Sequence, residues 1–388
     1  MRAGLILLCL AYVLSQFFRA FLAVLSGPLA LDVGATPDDL ATASGLMFAT
    51  FALMQLPVGW ALDRVGPRRT AAVLLLLGGG GGAALFALAS SPLHINLAMA
   101  LIGAGCSPVL MASYYIFARQ FSAARFATLA ALMLGVGSFG NLVASYPMAW
   151  AAETIGWRAA LWGLAAVSVA AALGILVLVR DPAAVGGDTR GSLLDLLKMP
   201  AIWAILPLMF VAYAPAAALR GLWAGPYLRD VFGLDTGQVG QATLVMGVAM
   251  IAGTFAYGPL DRLFNSRKWV IFTGNVICMA AIFALMLWPD RSLGLSIALL
   301  AVIGLAGSTF PVLIAHGRAF FPAHLAGRGV TLLNLFGIGG VGVAQFASGP
   351  LHAAAPSALA GYTAIFALFG FALLAGLVTY LWSRDSMA

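Results

Sequence analysis

Long apolar runs of similar length, separated by short polar breaks, make up almost the whole chain. About 20 mostly apolar residues are what a helix needs to cross hydrocarbon, where no water partners a free backbone group. Reading between charged residues and Gly/Pro breaks predicts twelve helices, at 4–30, 40–62, 70–90, 93–118, 126–150, 157–179, 201–228, 236–260, 268–288, 292–316, 326–350 and 358–382. No period-two alternation marks a strand, so a β-barrel is excluded. The longest polar stretch, Arg180–Met199, leaves no room for a soluble domain. Arg2 ahead of an apolar run has the form of a signal peptide. This run is longer than a signal core, holds Arg19 at mid-depth and has an internal copy starting near Ala201, so it is read as a retained helix.

The pattern occurs twice. Arg19, Gly27-Pro28, Asp32-Val33 and Asp63-Arg64 return as Arg220, Gly225-Pro226, Asp230-Val231 and Asp261-Arg262, about 198–201 positions later. Ala118-Arg119-Gln120-Phe121 matches Gly317-Arg318-Ala319-Phe320, and Gly135-Val136-Gly137 with Gly140 is paired with Gly337-Ile338-Gly339 with Gly342. The fold expected is an all-α membrane protein, twelve transmembrane helices in two pseudo-symmetric six-helix halves. The halves are 1–180 and 200–388, joined by a cytoplasmic linker at 181–199.

Composition agrees: 62% of residues are hydrophobic and 9% charged, where soluble domains carry about 25% charged residues. A net charge of +7 and a pI near 9.7 could suggest nucleic acid. Charge placement points elsewhere. With the N-terminus inside, 15 of 20 basic residues fall at the cytoplasmic face and only Arg158, Arg229 and Arg291 outside. That asymmetry is the positive-inside rule, so a multi-pass protein of a bacterial inner membrane is expected, both termini cytoplasmic, with the bilayer and no nucleic acid as partner. Cys9, Cys106 and Cys278 lie in apolar runs and imply packing rather than disulfides.

Twelve helices in two repeats resemble the major facilitator superfamily over essentially the whole chain. Gly59-Trp60-Ala61-Leu62-Asp63-Arg64-Val65-Gly66-Pro67-Arg68-Arg69 looks like that family's signature between helices 2 and 3. The resemblance implies a fold of two rocking halves and a loop that latches the outward-facing state, carried by Gly59, Asp63, Arg64, Gly66, Arg68 and Arg69. Gly59 suits close helix approach, Asp63 can pair with basic groups or cap a helix, and Gly66-Pro67 makes the turn. Gly258, Asp261, Arg262, Arg267 and Lys268 form a degraded copy that lacks the second glycine. Gly156-Trp157-Arg158 resembles a further family element. Phe17-Phe18-Arg19 and Gln55-Leu56-Pro57-Val58-Gly59 look like a proteobacterial branch that includes copper and riboflavin importers. Its copper members are associated with paired Met and His-Met motifs on helices 7 and 8; here only Met246 and Met250 fit, and neither helix contains a histidine.

Arg19 and Arg220 stand near mid-depth at matched positions of helices 1 and 7. Placing a guanidinium in hydrocarbon costs at least ~2.5–3.5 kcal/mol, so each is expected to face a cavity. All 13 acidic residues fall at helix ends or in loops, which leaves a substrate anion as the expected partner for guanidinium forks. The plainer reading ties each arginine to carbonyls, to Gln16, or by snorkelling to Asp32 and Asp230. Tyr12, Gln16, Tyr114, Tyr115, Asn141, Tyr213, Trp223 and Asn334 are candidate cavity residues, suited to a flat organic solute. With no intramembrane carboxylate, uniport or exchange is favoured over proton symport, and His316 is read as a helix-end histidine in water. Gly78–Gly82 lacks the Lys-Ser/Thr of a phosphate loop and implies close helix packing.

No nucleophile constellation, metal cluster or nucleotide fingerprint is present, so neither enzyme activity nor a cofactor is expected. The function expected is inward transport of a small anionic or polar-aromatic organic solute, a riboflavin-type vitamin among the candidates, by a monomer. Its site is expected at the midplane between the halves. One alternative is a copper(I) importer using Met246 and Met250 at i and i+4. The other is a non-transporting scaffold or sensor.

Overall fold

The computed structural model describes residues 2–182, 196–322 and 325–386. Among them there is no strand. Most of the predicted linker lies outside the described residues, as does the side chain of Arg262. Among the described residues ten helices are long and apolar enough to cross a membrane, and a bent pair supplies an eleventh. In chain order the spans are α1 (Ala3–Phe18 with Leu22–Val33), α2 (Pro37–Arg64), α3 (Pro67–Ala87) and α4 (Pro92–Gln120). Then come α5 (Ala123–Val143), α6 (Tyr146–Leu178), α7 (Pro200–Phe232), α8 (Thr236–Asp261), α9 (Arg267–Leu287), α10 (Leu293–Arg318), α11 (Arg328–Ala353) and α12 (Ala358–Tyr380). The predicted fifth run divides: its helix stops at Val143, and Tyr146–Ala151 leads through a π-turn at Ala152–Gly156 into α6. Pro147 cannot donate to the preceding turn, which accounts for the stop.

Two compact units result, Met1–Gly187 with Asp235–Gly240, and Asp188–Leu234 with Gln241–Ala388. In the first, a Cβ placed on Gly140 would lie 2.1 Å from the Val13 carbonyl, so α5 and α1 touch through their backbones. One on Gly78 would lie 2.4 Å from the Leu101 carbonyl and 2.5 Å from Gly105, so the glycine run packs α3 on α4 as expected. In the second unit, one on Gly340 would meet the Phe210 carbonyl at 1.8 Å. Lipid supplies no hydrophobic drive between helices, and such close packing takes its place. Large apolar side chains such as Ile6, Leu53, Trp60, Phe255 and Val177 point outward, as a lipid-facing surface requires. The packing glycines also correct the repeat register. Gly137 and Gly140 correspond in role to Gly337 and Gly340, a displacement of about 200, two residues shorter than the pairing with Gly339 and Gly342.

The repeat extends into the caps. Gly34 (φ 69°) and Gly233 (φ 70°) end α1 and α7 in the left-handed conformation, where a Cβ would be strained. At the start of α2, Thr36 Oγ1 accepts from Asp39 N at 3.1 Å, and Asp39 Oδ2 accepts from Thr36 N at 2.9 Å. At the start of α8, Asp235 Oδ1 accepts from Gln238 N at 2.8 Å, and Gln238 Oε1 accepts from Asp235 N at 3.1 Å. Both are reciprocal capping boxes.

The α2–α3 and α8–α9 turns match as well. Gly66 takes φ 96° in the first, and Asn265 takes φ 48° in the second. Gly66, with ψ 151°, lies in a region open essentially to glycine, whereas Asn265 uses the left-handed region that asparagine tolerates, so the second turn obtains its positive φ without a glycine. Each following helix is capped by a carboxylate from the end of the unit. Asp181 Oδ1 accepts from Arg68 N at 2.8 Å and pairs with Arg68 Nε at 3.4 Å. Asp385 accepts from the Ser266 hydroxyl and, at 3.2 and 3.5 Å, from the N–H groups of Arg267 and Lys268. Lys268 Nζ also donates to the Leu381 and Ser383 carbonyls at 2.7 and 2.6 Å. His316 is fully buried here, with Tyr380 Oη 2.6 Å from Nδ1 and the Arg384 carbonyl 2.9 Å from Nε2, which corrects the expectation of a histidine in water.

Asp385→Ala is therefore expected to lower thermal stability more than Asp181→Ala, because it strips the cap and loosens the tail together. Loss of an N-terminal cap alone costs about 0.5–2 kcal/mol. A melting curve of the purified variants in one detergent checks this; equal melting temperatures for Asp385→Ala and wild type would refute it.

Candidate functional site

Both mid-depth arginines stand where their helix is interrupted. α1 stops at Phe18 and resumes at Leu22 with a 56° bend, and Arg19 is the first residue of the break. Phe17, Phe18 and Phe21 pack the bend, with ring centroids 5.7–5.9 Å apart, and Phe21 continues onto Phe86 at 5.3 Å. In α7, Arg220 lies within the π-turn Leu219–Trp223. Pro226, one turn on, has no N–H for the Leu222 carbonyl and its ring crowds that carbonyl, which favours the wider turn.

The Arg19 side chain is half-buried, its guanidinium 4.4 Å from the centre of the Phe51 ring on α2, a cation–π contact. Its Nε is buried and makes no hydrogen bond. Arg220 is 2% exposed. Its guanidinium packs closely on Gly247 of α8: a Cβ there would lie 2.9 Å from Nη2 and 3.0 Å from Nε. The matched outer aspartates are engaged elsewhere. Asp32 accepts from Trp157 Nε1 at 2.7 Å. Asp230 accepts from Tyr362 Oη at 2.5 Å and from Arg229 Nε at 2.9 Å. Each aspartate is thus tied to the last span of its unit.

The remaining candidates separate. Gln16 is half-buried on α1, its Cβ near Gly140. Asn141 on α5 and Asn334 on α11 are half-buried, Tyr12 lies against Gly137, and Tyr114 packs on Phe126 at 5.8 Å. Tyr213 is half-buried and lies 5.0 Å from Phe310. Trp223 does not line a cavity in its unit. It is fully buried, its Nε1 donates to Ser348 Oγ at 2.9 Å, and its ring packs on His352 and Tyr362. Tyr115 belongs with the signature loop: its hydroxyl donates to Asp63 Oδ1 at 3.0 Å, and the Arg119 guanidinium covers its ring at 4.1 Å. A tyrosine near the end of α4 reaches the loop, not mid-depth.

Asp63 and Arg64 are exposed, as is Arg69. Arg68 is bound to Asp181 and donates to the Leu176 carbonyl at 3.3 Å. Asp261 pairs with Arg267 Nε at 3.1 Å. A Cβ on Gly59 or Gly258 would meet no atom within 4 Å, so neither mediates the close approach expected of Gly59; both lie on outward helix faces.

Met246 is fully buried, and both methionines pack on α10. A Cβ on Gly304 would meet Met250 Cγ at 2.9 Å and Met246 Cγ at 3.2 Å. Among the described residues no group of three His, Cys, Asp or Glu could hold a metal ion. A double Met246→Leu, Met250→Leu variant should therefore keep transport of the true solute within about twofold, since Met and Leu have similar volumes and each swap costs under about 1.5 kcal/mol. Copper uptake by wild type that vanishes in the double variant, measured by mass spectrometry in a copper-depleted host, would reverse that assignment.

Three further residues stand near the arginines without a site role assigned from the sequence: Gly247, Gln55 and Gln345. Two are glutamines inside apolar spans, a signal visible in the sequence.

An all-helical chain with so many apolar spans, a duplicated plan and interrupted helices carrying buried charge is a multi-pass membrane transporter in form. The sequence model of the Major Facilitator Superfamily matches residues 8–344. The chain belongs to that superfamily. It is 28% identical over 365 residues to a chloramphenicol resistance protein of Streptomyces lividans, covering 86% of this chain and 83% of that protein. A D-xylose-proton symporter superposes with TM-score 0.79 at 14% identity, covering 99% of this chain and 98% of that one. A bacterial homolog of the human lysosomal transporter Spinster, inward-facing and occupied, gives 0.73 at 18% identity, over 98% and 94%. A nucleoside transporter gives 0.75 at 15% identity, over 98% and 99%. At these identities the solved structures establish the fold. The protein is a transporter of this superfamily, not an enzyme, and takes a small molecule within the membrane.

Proposed function

We propose that the chain carries a small anionic or polar-aromatic organic solute inward across a bacterial inner membrane by alternating access, with Arg19 and Arg220 as its anion-binding groups. One observation carries this reading: the matched arginines both stand at interruptions of the first span of their half, while the matched aspartates are engaged by Trp157 and Tyr362. Interrupted helices at mid-depth are a recurrent way to offer polar groups to a solute in a carrier. The acidic residues all lie at helix ends or in loops, so a solute carboxylate or phosphate at mid-depth meets guanidinium groups and no like charge from the helix interiors. The same distribution favours uniport or exchange over proton symport. Riboflavin-type vitamins fall within the solute class. In this reading the protein acts as a monomer with both termini cytoplasmic, and Gln16, Asn141, Tyr213 and Asn334 add polar contacts.

A second reading has its own support, the resemblance to a chloramphenicol resistance protein over most of both chains. In it the solute is a neutral aromatic amide and the direction is outward. Two measurements separate them. Purified protein is screened by thermal shift with aromatic carboxylates, organic phosphates, flavins and chloramphenicol, since a ligand at 100 times its Kd stabilises by about 2.7 kcal/mol. Transport of each hit is then followed in right-side-out and inside-out vesicles. Stabilisation by anions, with uptake in right-side-out vesicles, supports the first reading. Stabilisation by chloramphenicol alone, with accumulation in inside-out vesicles, replaces it with the second.

A further inference from the structure

Each arginine is one contact away from a buried glutamine whose carbonyl oxygen has no hydrogen bond. In the first unit Gln55, 1% exposed, donates Nε2 to the Phe51 carbonyl at 3.2 Å, and the ring of that same Phe51 carries the Arg19 guanidinium. In the second, Gln345, fully buried on α11, donates Nε2 to the Ala218 carbonyl at 3.4 Å, two residues ahead of Arg220 at the mouth of the π-turn. In both cases Oε1 is buried without a partner. The amide orientation is not arbitrary: a backbone carbonyl can only accept, so Nε2 must face it and Oε1 must point away.

A buried acceptor left unsatisfied is costly, and such groups are few in folded proteins. Asn96 and Asn275 also carry a bare buried amide oxygen, but the two glutamine oxygens stand one in each unit, each beside a span interrupted at a mid-depth arginine, and that matched placement calls for a shared cause. Packing does not supply it, because leucine or methionine would fill either position without leaving an acceptor bare. A ligand donor does.

We propose that Gln55 and Gln345 are substrate-contacting acceptors, so that in each half an arginine donor and a glutamine acceptor together read a solute group in which an anion is accompanied by an N–H or O–H donor. The inference rests on the anion reading above and sharpens it: the solute is a hydroxy- or amino-bearing carboxylate or phosphate, not an anion alone. A solute with the donor masked leaves the glutamine oxygen as bare as it is without solute, so it forgoes the hydrogen bond that the hydroxy- or amino-bearing solute gains.

The test uses the full chain in detergent and two probes, 4-hydroxybenzoate and 4-methoxybenzoate, which share the anion and differ in the donor. Affinity is measured for wild type, Gln55→Leu, Gln345→Leu and the Gln→Met variants at the same positions, with Arg19→Gln as a control. Wild type is expected to prefer the hydroxyl probe by at least tenfold, and the glutamine variants to lose that preference to within about twofold while binding the methoxy probe as before. Their melting temperatures should not fall, since an apolar side chain removes an unsatisfied acceptor. A merely structural glutamine would do the reverse, lowering the melting temperature and leaving the preference intact. That result, or equal wild-type affinity for the two probes, overturns the inference while Arg19-dependent binding keeps the anion reading alive. If neither probe binds wild type, both fall.

Discussion

Arg220→Gln is expected to abolish uptake of an anionic solute, with Vmax/KM reduced by at least 100-fold, and Arg19→Gln to reduce it by 10- to 100-fold. A hydrogen bond to a charged group contributes about 1.5–3 kcal/mol, a factor of roughly 10 to 150, and a bidentate fork makes two, so losing one arginine removes at least that factor. Arg220 should be the more sensitive because it is almost wholly buried, and a charge–charge contact strengthens as water is excluded. Arg19 keeps partial solvent access and a stacking partner in Phe51. Lysine is not expected to rescue either position, since a point charge cannot reproduce the planar fork or the stacking. Misfolding would not produce the same result. Loss of transport at a melting temperature near that of wild type separates lost binding from a lost fold. Gly247→Ala offers an independent and milder perturbation of the same group, because its methyl would lie 2.9 Å from Nη2 and the guanidinium must shift to admit it. Uptake retained in Arg220→Gln, at equal reconstituted protein, would refute the assignment.

Much of the architecture was legible because lipid imposes one strong rule, a long apolar helix for each crossing, and because duplication lets each half check the other. The matched arginines, the Asp63-Arg64 loop and the packing role of the Gly78–Gly82 run were visible in this way. Tertiary geometry was not. Nothing in the sequence distinguishes Tyr115 from Tyr114, yet one hydrogen-bonds Asp63 and the other packs on Phe126, because adjacent residues on a helix point about 100° apart. Trp223 read as a cavity aromatic, but its indole N–H is consumed by Ser348 on another span. The degraded second signature was misjudged for a different reason. Its glycine was sought by identity, whereas the turn requires a positive φ, and Asn265 provides it. His316 read as solvated because it sits at a helix end, and the tail carrying Arg384 covers it.

Asp63→Asn and Arg64→Ala are expected to slow turnover by at least tenfold while leaving solute affinity within about twofold. Asp63 is exposed, and the hydrogen bond from Tyr115 engages one of its two oxygens. Its charge therefore contributes little to the packing of this unit, and Arg64 is likewise exposed. Groups so placed are available to stabilise one conformation of a transport cycle over another. A bias of 1.4 kcal/mol between two states is a tenfold change in their ratio, which passes into turnover when the disfavoured state must be visited. The substitutions divide the carboxylate's two functions. Asparagine keeps an oxygen that can accept from Tyr115 and loses the charge. Tyr115→Phe keeps the charge and loses a hydrogen bond with a net contribution of about 0.5–1.5 kcal/mol. If the charge sets the balance of states, Asp63→Asn is the severe variant and Tyr115→Phe slows turnover by only about two- to tenfold. If positioning by Tyr115 dominates, the order inverts. Initial rates in reconstituted vesicles, paired with equilibrium binding on the same preparations, separate these outcomes, and unchanged rates in Asp63→Asn would remove the loop from the mechanism.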